Sequence, residues 1–264
     1  MPPLQNPVEE ASRVLDAAQA SGVVLRLFGG VSFWFRCPSA KLPGLQRRYV
    51  DVDFMGHSKQ SREIKELFAS LDYLPRTKFN AVQGYRRLVF NDMVNQRRVD
   101  VFLDVFEMCH NFNFKDRLEV DAKTIPLADM LLTKLQIIAV NDKDLKDAIC
   151  VFVDYEVGAG DGESINGAYL ANLCANDWGV YKTLTMNLDK LLAKVGDVDL
   201  PEASKDAIRV RANSLKTMIE EKPKSMKWKM RARVGEKVKW YELPEDDKEV
   251  VDSRIAGQAA PPPA

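Results

Sequence analysis

Two acids inside an apolar run, Val50-Asp51-Val52-Asp53-Phe54, limit what this chain can fold into. Its β-branched and aromatic residues favour a strand. Alternate residues of a strand share a face, so Asp51 and Asp53 are expected to project together. Ionised carboxylates on a half-buried sheet are costly unless a countercharge or cation compensates them. A second apolar run, 97–106, adds Asp100 and Asp104 on one face, beside Phe102. The fold must bring these strands to a place where such charges are useful or neutralised.

The rest of the first half reads as alternating helix and strand. Val8, Ala11, Val14, Leu15 and Ala18 recur at helical spacing over 8–20. An apolar run at 23–28 predicts a strand, and Gly29-Gly30 a turn. A short helix is expected from 31, a loop over 37–46 and a second strand over 48–55. A helix over 58–71 precedes strands at 86–90 and 97–106, joined by a polar turn. One more short strand is expected at 118–120. After Pro126 the pattern becomes helical, over 127–140, 143–155, 165–175, 178–195 and 201–221. The expected class is α/β (α+β), a mixed sheet with flanking helices followed by a mainly helical region. The expected units are an α/β core at 1–125, helices at 126–222, a basic segment at 223–243 and a disordered acidic, then Ala/Pro-rich tail at 244–264.

Composition excludes little. Lys+Arg and Asp+Glu are 38 each, so net charge argues for neither nucleic acid nor membrane. No apolar run approaches the roughly 18 residues of a membrane span. From the polar opening MPPLQNPVEE no secretory leader is expected. Cys37, Cys109, Cys150 and Cys174 lack paired spacing, so reduced thiols and a cytoplasmic location are expected.

Three carboxylates that converge at low dielectric repel one another, and a divalent cation relieves them. Oxygen-only ligands suit Mg²⁺ or Mn²⁺, which assist phosphoryl displacement. Asp51, Asp53 and Asp100 are therefore candidate metal ligands and catalytic residues, with Asp104 an alternative third ligand. The competing reading pairs the first two acids with Arg47, Arg48 or Arg98 as surface salt bridges.

The order Phe28-Gly29-Gly30, then Val50-Asp51-Val52-Asp53-Phe54, then Val99-Asp100-Val101 resembles the nucleotidyltransferase superfold of the polymerase-β type. Lys134 in LLTKLQII, followed by Lys143-Asp144-Leu145-Lys146-Asp147, is similar to the bacterial AbiEii-like nucleotidyltransferases. The resemblance spans roughly 20–155, with CPSAKLPGLQ as an inserted loop. It implies transfer of an NMP group from an NTP to a hydroxyl, with Mg²⁺. Gly29, Gly30 and Ser32 would then meet the triphosphate. Asp51 and Asp53 would hold metal on the phosphates, while Asp100 completes the acceptor-side metal and assists deprotonation. Lys134, Lys143 and Asp144 would position the nucleotide. An RNA acceptor such as a tRNA end, and an antitoxin-type protein partner, follow from the same resemblance. A non-catalytic nucleotide- or RNA-binding module and a small-molecule (antibiotic-type) transferase stay open.

The segment 222–239 carries eight Lys/Arg against Glu236, interleaved with Trp228, and Trp240 follows it. Such a stretch either holds RNA phosphates and stacks bases, or is a solvated face docked through its aromatics. GAGDG at 158–162 lacks a third glycine and its strand–helix context, and reads as a flexible linker. Cys109-His110 and His57 lack partners at metal-ligand spacing, so structural roles are expected.

Overall fold

A computed structural model describes residues 2–243. The expected acidic and Ala/Pro-rich tail at 244–264 lies outside the described residues. The chain runs α1 (Pro7–Ala20), β1 (Leu25–Phe28), α2 (Gly29–Arg36), β2 (Val52–Gly56), α3 (Ser61–Ser70), β3 (Leu74–Pro75), α4 (Thr77–Gln83), β4 (Arg87–Asp92) and β5 (Arg97–Leu103). Two short pairs follow: β6 (Val105–Glu107) with β7 (Asn111–Asn113), and, after α5 (Leu127–Leu135) and α6 (Asp142–Asp154), β8 (Glu156–Gly158) with β9 (Ser164–Asn166). The chain then forms α7 (Gly167–Asn176), α8 (Trp178–Lys194), α9 (Glu202–Glu221) and α10 (Met226–Val234).

The main sheet has the order β1-β2-β5-β4-β3 and is mixed. β2 lies antiparallel to β1 and parallel to β5, and β5 lies antiparallel to β4. Strand alternation sorts the faces. Leu27, Val52, Phe54, Leu88, Phe90, Val99 and Val101 pack with Val14 of α1 and Ile64 and Phe68 of α3. Phe68 stacks on Phe90 with ring centroids 4.3 Å apart. Burying each such ring favours folding by about 2 kcal/mol. On the opposite face, Phe28 and Met55 join a core shared with the C-terminal helices, including Leu131, Ile149, Leu188 and Leu215. One continuous core therefore links the sheet to the helical region.

Polar caps fix several helix starts. Asn6, Asn141, Asp177 and Ser225 accept backbone N–H bonds at the starts of α1, α6, α8 and α10. Among the described residues no helix is long and apolar enough to cross a membrane.

Four expectations are corrected. Residues 118–120 form a turn, not a strand. The second strand begins at Val52, not 48, because its partner β1 ends at Phe28, opposite Asp53. The run 97–106 is interrupted at Asp104, whose φ of 58° is left-handed and ends the ladder. The 158–162 loop is tied down. Arg117 donates to both oxygens of Asp161 at 2.7 Å, and Arg36 donates to the Gly162 carbonyl at 2.9 Å.

Candidate active site

Parallel pairing sets Asp53 of β2 directly beside Asp100 of β5. Both lie on the face opposite the α1–α3 core. Phe28 pairs with Asp53 on the other side, so the next residue, Gly29, starts α2 against this carboxylate. A Cβ on Gly29 would fall 2.3 Å from Asp53 Oδ2, and its φ is +63°. Only glycine meets both conditions without strain. The first turn of α2 has no side-chain cap, which leaves its N-terminal amides for another acceptor.

Among the described residues no hydrogen bond is made to the Asp53 carboxylate. Burial, with the charges of Asp100 and Asp51, pushes its pKa up to about 7, against the smaller opposing effects of Lys134 and Arg87. A half-buried carboxylate in this state suits a cation or a proton. Asp51 lies on the exposed segment just before β2, and its charge adds to that of Asp100 in raising Asp53. Asp100 is 5% exposed and already paired: Arg87 Nε reaches Oδ1 at 2.9 Å and Arg98 Nε reaches Oδ2 at 2.7 Å. Among the described residues no group of three or more His, Cys, Asp or Glu stands close enough to hold a metal ion. The carboxylates present, Asp53 and Asp100, could contribute one or two oxygen ligands to a hard cation. They do not form a three-carboxylate cage.

The helical region supplies the second half of the site. Lys134 of α5 pairs with Asp144 and Asp147 of α6, each at 3.0 Å. Burial opposes its charge, but the two acids outweigh burial and raise its pKa. Asp147 also takes two N–H bonds from Arg47, at 2.8 and 2.7 Å. The Arg47 guanidinium covers Gly30, where a Cβ would fall 2.2 Å from Nη2. The start of α2 thus carries Asp53 at Gly29 and a fixed cation at Gly30.

Several expected site residues lie elsewhere. Ser32 is fully buried and its hydroxyl donates to the Gly29 carbonyl at 2.7 Å. Lys143 is exposed in the first turn of α6, where its amide binds the Asn141 cap. Asp104 is not an alternative to Asp100. It lies at the far end of β5, where Ser58 Oγ donates to Oδ2 at 2.5 Å and His57 Nδ1 is 3.3 Å from Oδ1. Trp228 packs edge-on against Tyr181 at 5.1 Å, and Trp240 against Trp178 at 5.8 Å. Trp240 Nε1 also donates to Thr183 at 3.1 Å. The aromatics of the basic segment are thus docked on the protein and do not stand free for stacking. A cavity of about 550 Å³ beside Cys109, His110 and Trp240 is lined by none of the carboxylate-site residues.

Arg47, Arg87 and Asp147 are the site residues the sequence reading did not assign. Asp144 and Asp147 are three apart and share a helix face, a usable signal. Arg87 carried none, because its role depends on β4 pairing with β5. In comparisons with known proteins, no family model and no curated protein matches the chain.

Proposed function

We propose that this protein is a nucleotidyltransferase of the polymerase-β type, moving an NMP group from an NTP to a hydroxyl acceptor. The observation that carries the reading is the in-register Asp53–Asp100 pair against the uncapped, glycine-started helix α2. A helix N-terminus with a backbone free of Cβ atoms is a phosphate cradle. Arg47 and Lys134 stand on the same side, held in place by Asp144 and the shared Asp147. Asp53 and Asp51 would hold Mg²⁺ against the phosphates. When bound, the ion supplies charge neutralisation at the phosphoryl oxygens.

The chain's own residues divide the remaining tasks. The amides of Gly29 and Gly30 bind phosphate oxygens. Each Asp100 oxygen takes one guanidinium N–H and keeps a second lone pair. Asp100 can therefore orient the acceptor hydroxyl and take its proton. The hydroxyl oxygen bonds to the α-phosphorus, the bond from that phosphorus to the β-bridging oxygen breaks, and pyrophosphate leaves.

Binding of an N-methylanthraniloyl-ATP probe, followed by fluorescence with and without Mg²⁺, tests this reading. Mg²⁺-dependent binding that is lost in Asp53→Asn is expected. Equal binding by both proteins would overturn the assignment of Asp53. Metal-dependent binding without transfer to any acceptor would favour the non-catalytic module, which the absence of a three-carboxylate cluster among the described residues leaves as the second reading.

A further inference from the structure

Helix α10 is held to the protein from one side. Trp228 packs on Tyr181 with ring centroids 5.1 Å apart, and the Arg231 guanidinium carbon lies 4.6 Å from the Trp178 ring centroid. Arg231 also donates to the carbonyls of Gly235 and Val238, at 2.7 and 2.6 Å. The other side is open. Residues four apart on a helix share a face, so Met226, Met230 and Val234 form one stripe. They are 73%, 64% and 41% exposed. Lys227 borders the stripe on one edge, and Lys229 and Arg233 border it on the other. All three cations are exposed, and among the described residues none makes a side-chain hydrogen bond or ion pair. The one acid of 226–239, Glu236, is paired with Lys182 at 2.5 Å.

An apolar stripe between two cationic edges is complementary to an apolar segment with acids on both sides. Residues 245–252, which lie outside the described residues, have that composition. Val250 and Val251 stand between Glu249 and Asp252, and Glu245, Asp246 and Asp247 come just before, against Lys248 alone. The described chain ends close to α10. Trp240 packs at 5.8 Å on Trp178, the same ring that Arg231 of α10 covers. Ten residues lead from Trp240 to Val250 and can span up to about 35 Å. The nine residues of α10 are only about 14 Å long. A tether of this kind keeps the local concentration on the order of millimolar. Exposed ion pairs are individually weak, and with a small apolar contact they suffice for a tethered segment where they would not for a separate molecule.

We propose that residues 245–252 dock in cis on the outer face of α10, with Val250 and Val251 on the Met226–Met230–Val234 stripe and the flanking acids on Lys227, Lys229 and Arg233. The chain thereby masks its own basic helix, and a polyanion reaches that helix only by displacing the segment. None of these residues belongs to the carboxylate site, so the docking stands apart from the transferase reading.

Disulfide formation within the full chain tests the docking. The protein carries Met230→Cys and Val251→Cys; its four native cysteines are buried. Oxidised glutathione is the oxidant. Products are separated on a non-reducing gel and the linked residues are located by peptide mass. The comparison chains add Asp246→Lys, Asp247→Lys and Glu249→Lys, or Lys227→Glu, Lys229→Glu and Arg233→Glu, or both sets. We expect crosslinking within one chain to slow at least tenfold with either set alone and to return to within threefold with both. About 0.5 M salt should abolish most of the difference. Thermal melting confirms that each chain folds; should the helix set fail, the tail set probes the same pairing from its other side. Rates within twofold across the folded chains would overturn the docking. Disulfide-linked dimers as the main product would also overturn it, and would assign the face to a second copy.

Discussion

Asp53 and Asp100 sit side by side across the parallel β2–β5 pair, yet their surroundings differ. Asp100 has two arginines. Asp53 has no hydrogen-bond partner among the described residues, and its pKa is pushed up to about 7. The site thus pairs a neutralised carboxylate with an uncompensated one, and that difference yields the first prediction.

The folded chain holds a proton at Asp53 that the unfolded chain releases near its ordinary pKa of 3.8. Without divalent cations, Asp53 therefore makes stability fall as pH rises from about 4 to about 7, with no further change above that. Asp129, pushed up to about 6 by burial, acts in the same direction over a narrower window. Asp53→Asn removes the Asp53 part only. Melting in chelator from pH 4.5 to 8 should show the variant gaining on the unchanged protein up to pH 7. Parallel curves would contradict this.

Gly29→Ala places a methyl group 2.3 Å from Asp53 Oδ2 on backbone at φ +63°. The left-handed conformation alone costs an L-residue about 1–2 kcal/mol. We expect at least that loss in chemical denaturation, together with loss of ATP-probe binding. A variant of unchanged stability would show that α2 does not start against the carboxylate.

Asp147 bridges Lys134 and Arg47 while almost fully buried. Asp147→Asn leaves Arg47 without its carboxylate, and breaking a buried pair typically costs about 3–5 kcal/mol. Lys134 keeps Asp144. Denaturant unfolding should show a loss near the lower end of that range, and Arg47→Met should show less, because Asp147 retains Lys134.

Trp228→Ala removes the ring that docks α10 on Tyr181. Limited proteolysis should then cut within 222–243 faster than in the unchanged protein, and equal rates would contradict the docking.

Local pattern made much of this legible. The strands carrying Asp53 and Asp100, the helix after Gly29-Gly30 and the helices beyond Pro126 follow from apolar periodicity. The start of β2 at Val52 is not legible locally, because it depends on where its partner ends, and β1 stops at Phe28 for a reason outside the Val50–Phe54 run. The direction of Ser32 is not legible in the sequence, because it follows from the first turn of α2, where the Gly29 carbonyl captures its hydroxyl. The partners of Arg87 and Arg47 are not legible locally, because they reach their carboxylates across 13 and 100 residues, through strand pairing and helix packing.

The most direct measurement is label transfer. The protein is mixed with Mg²⁺, each α-³²P-labelled NTP in turn, and total cellular RNA or a small-molecule extract, with Asp53→Asn in parallel. We expect label to move from one or more NTPs to a hydroxyl-bearing acceptor, and the variant to move none. Absence of transfer from every NTP to either pool, or equal transfer by the variant, would contradict a nucleotidyltransferase built on Asp53.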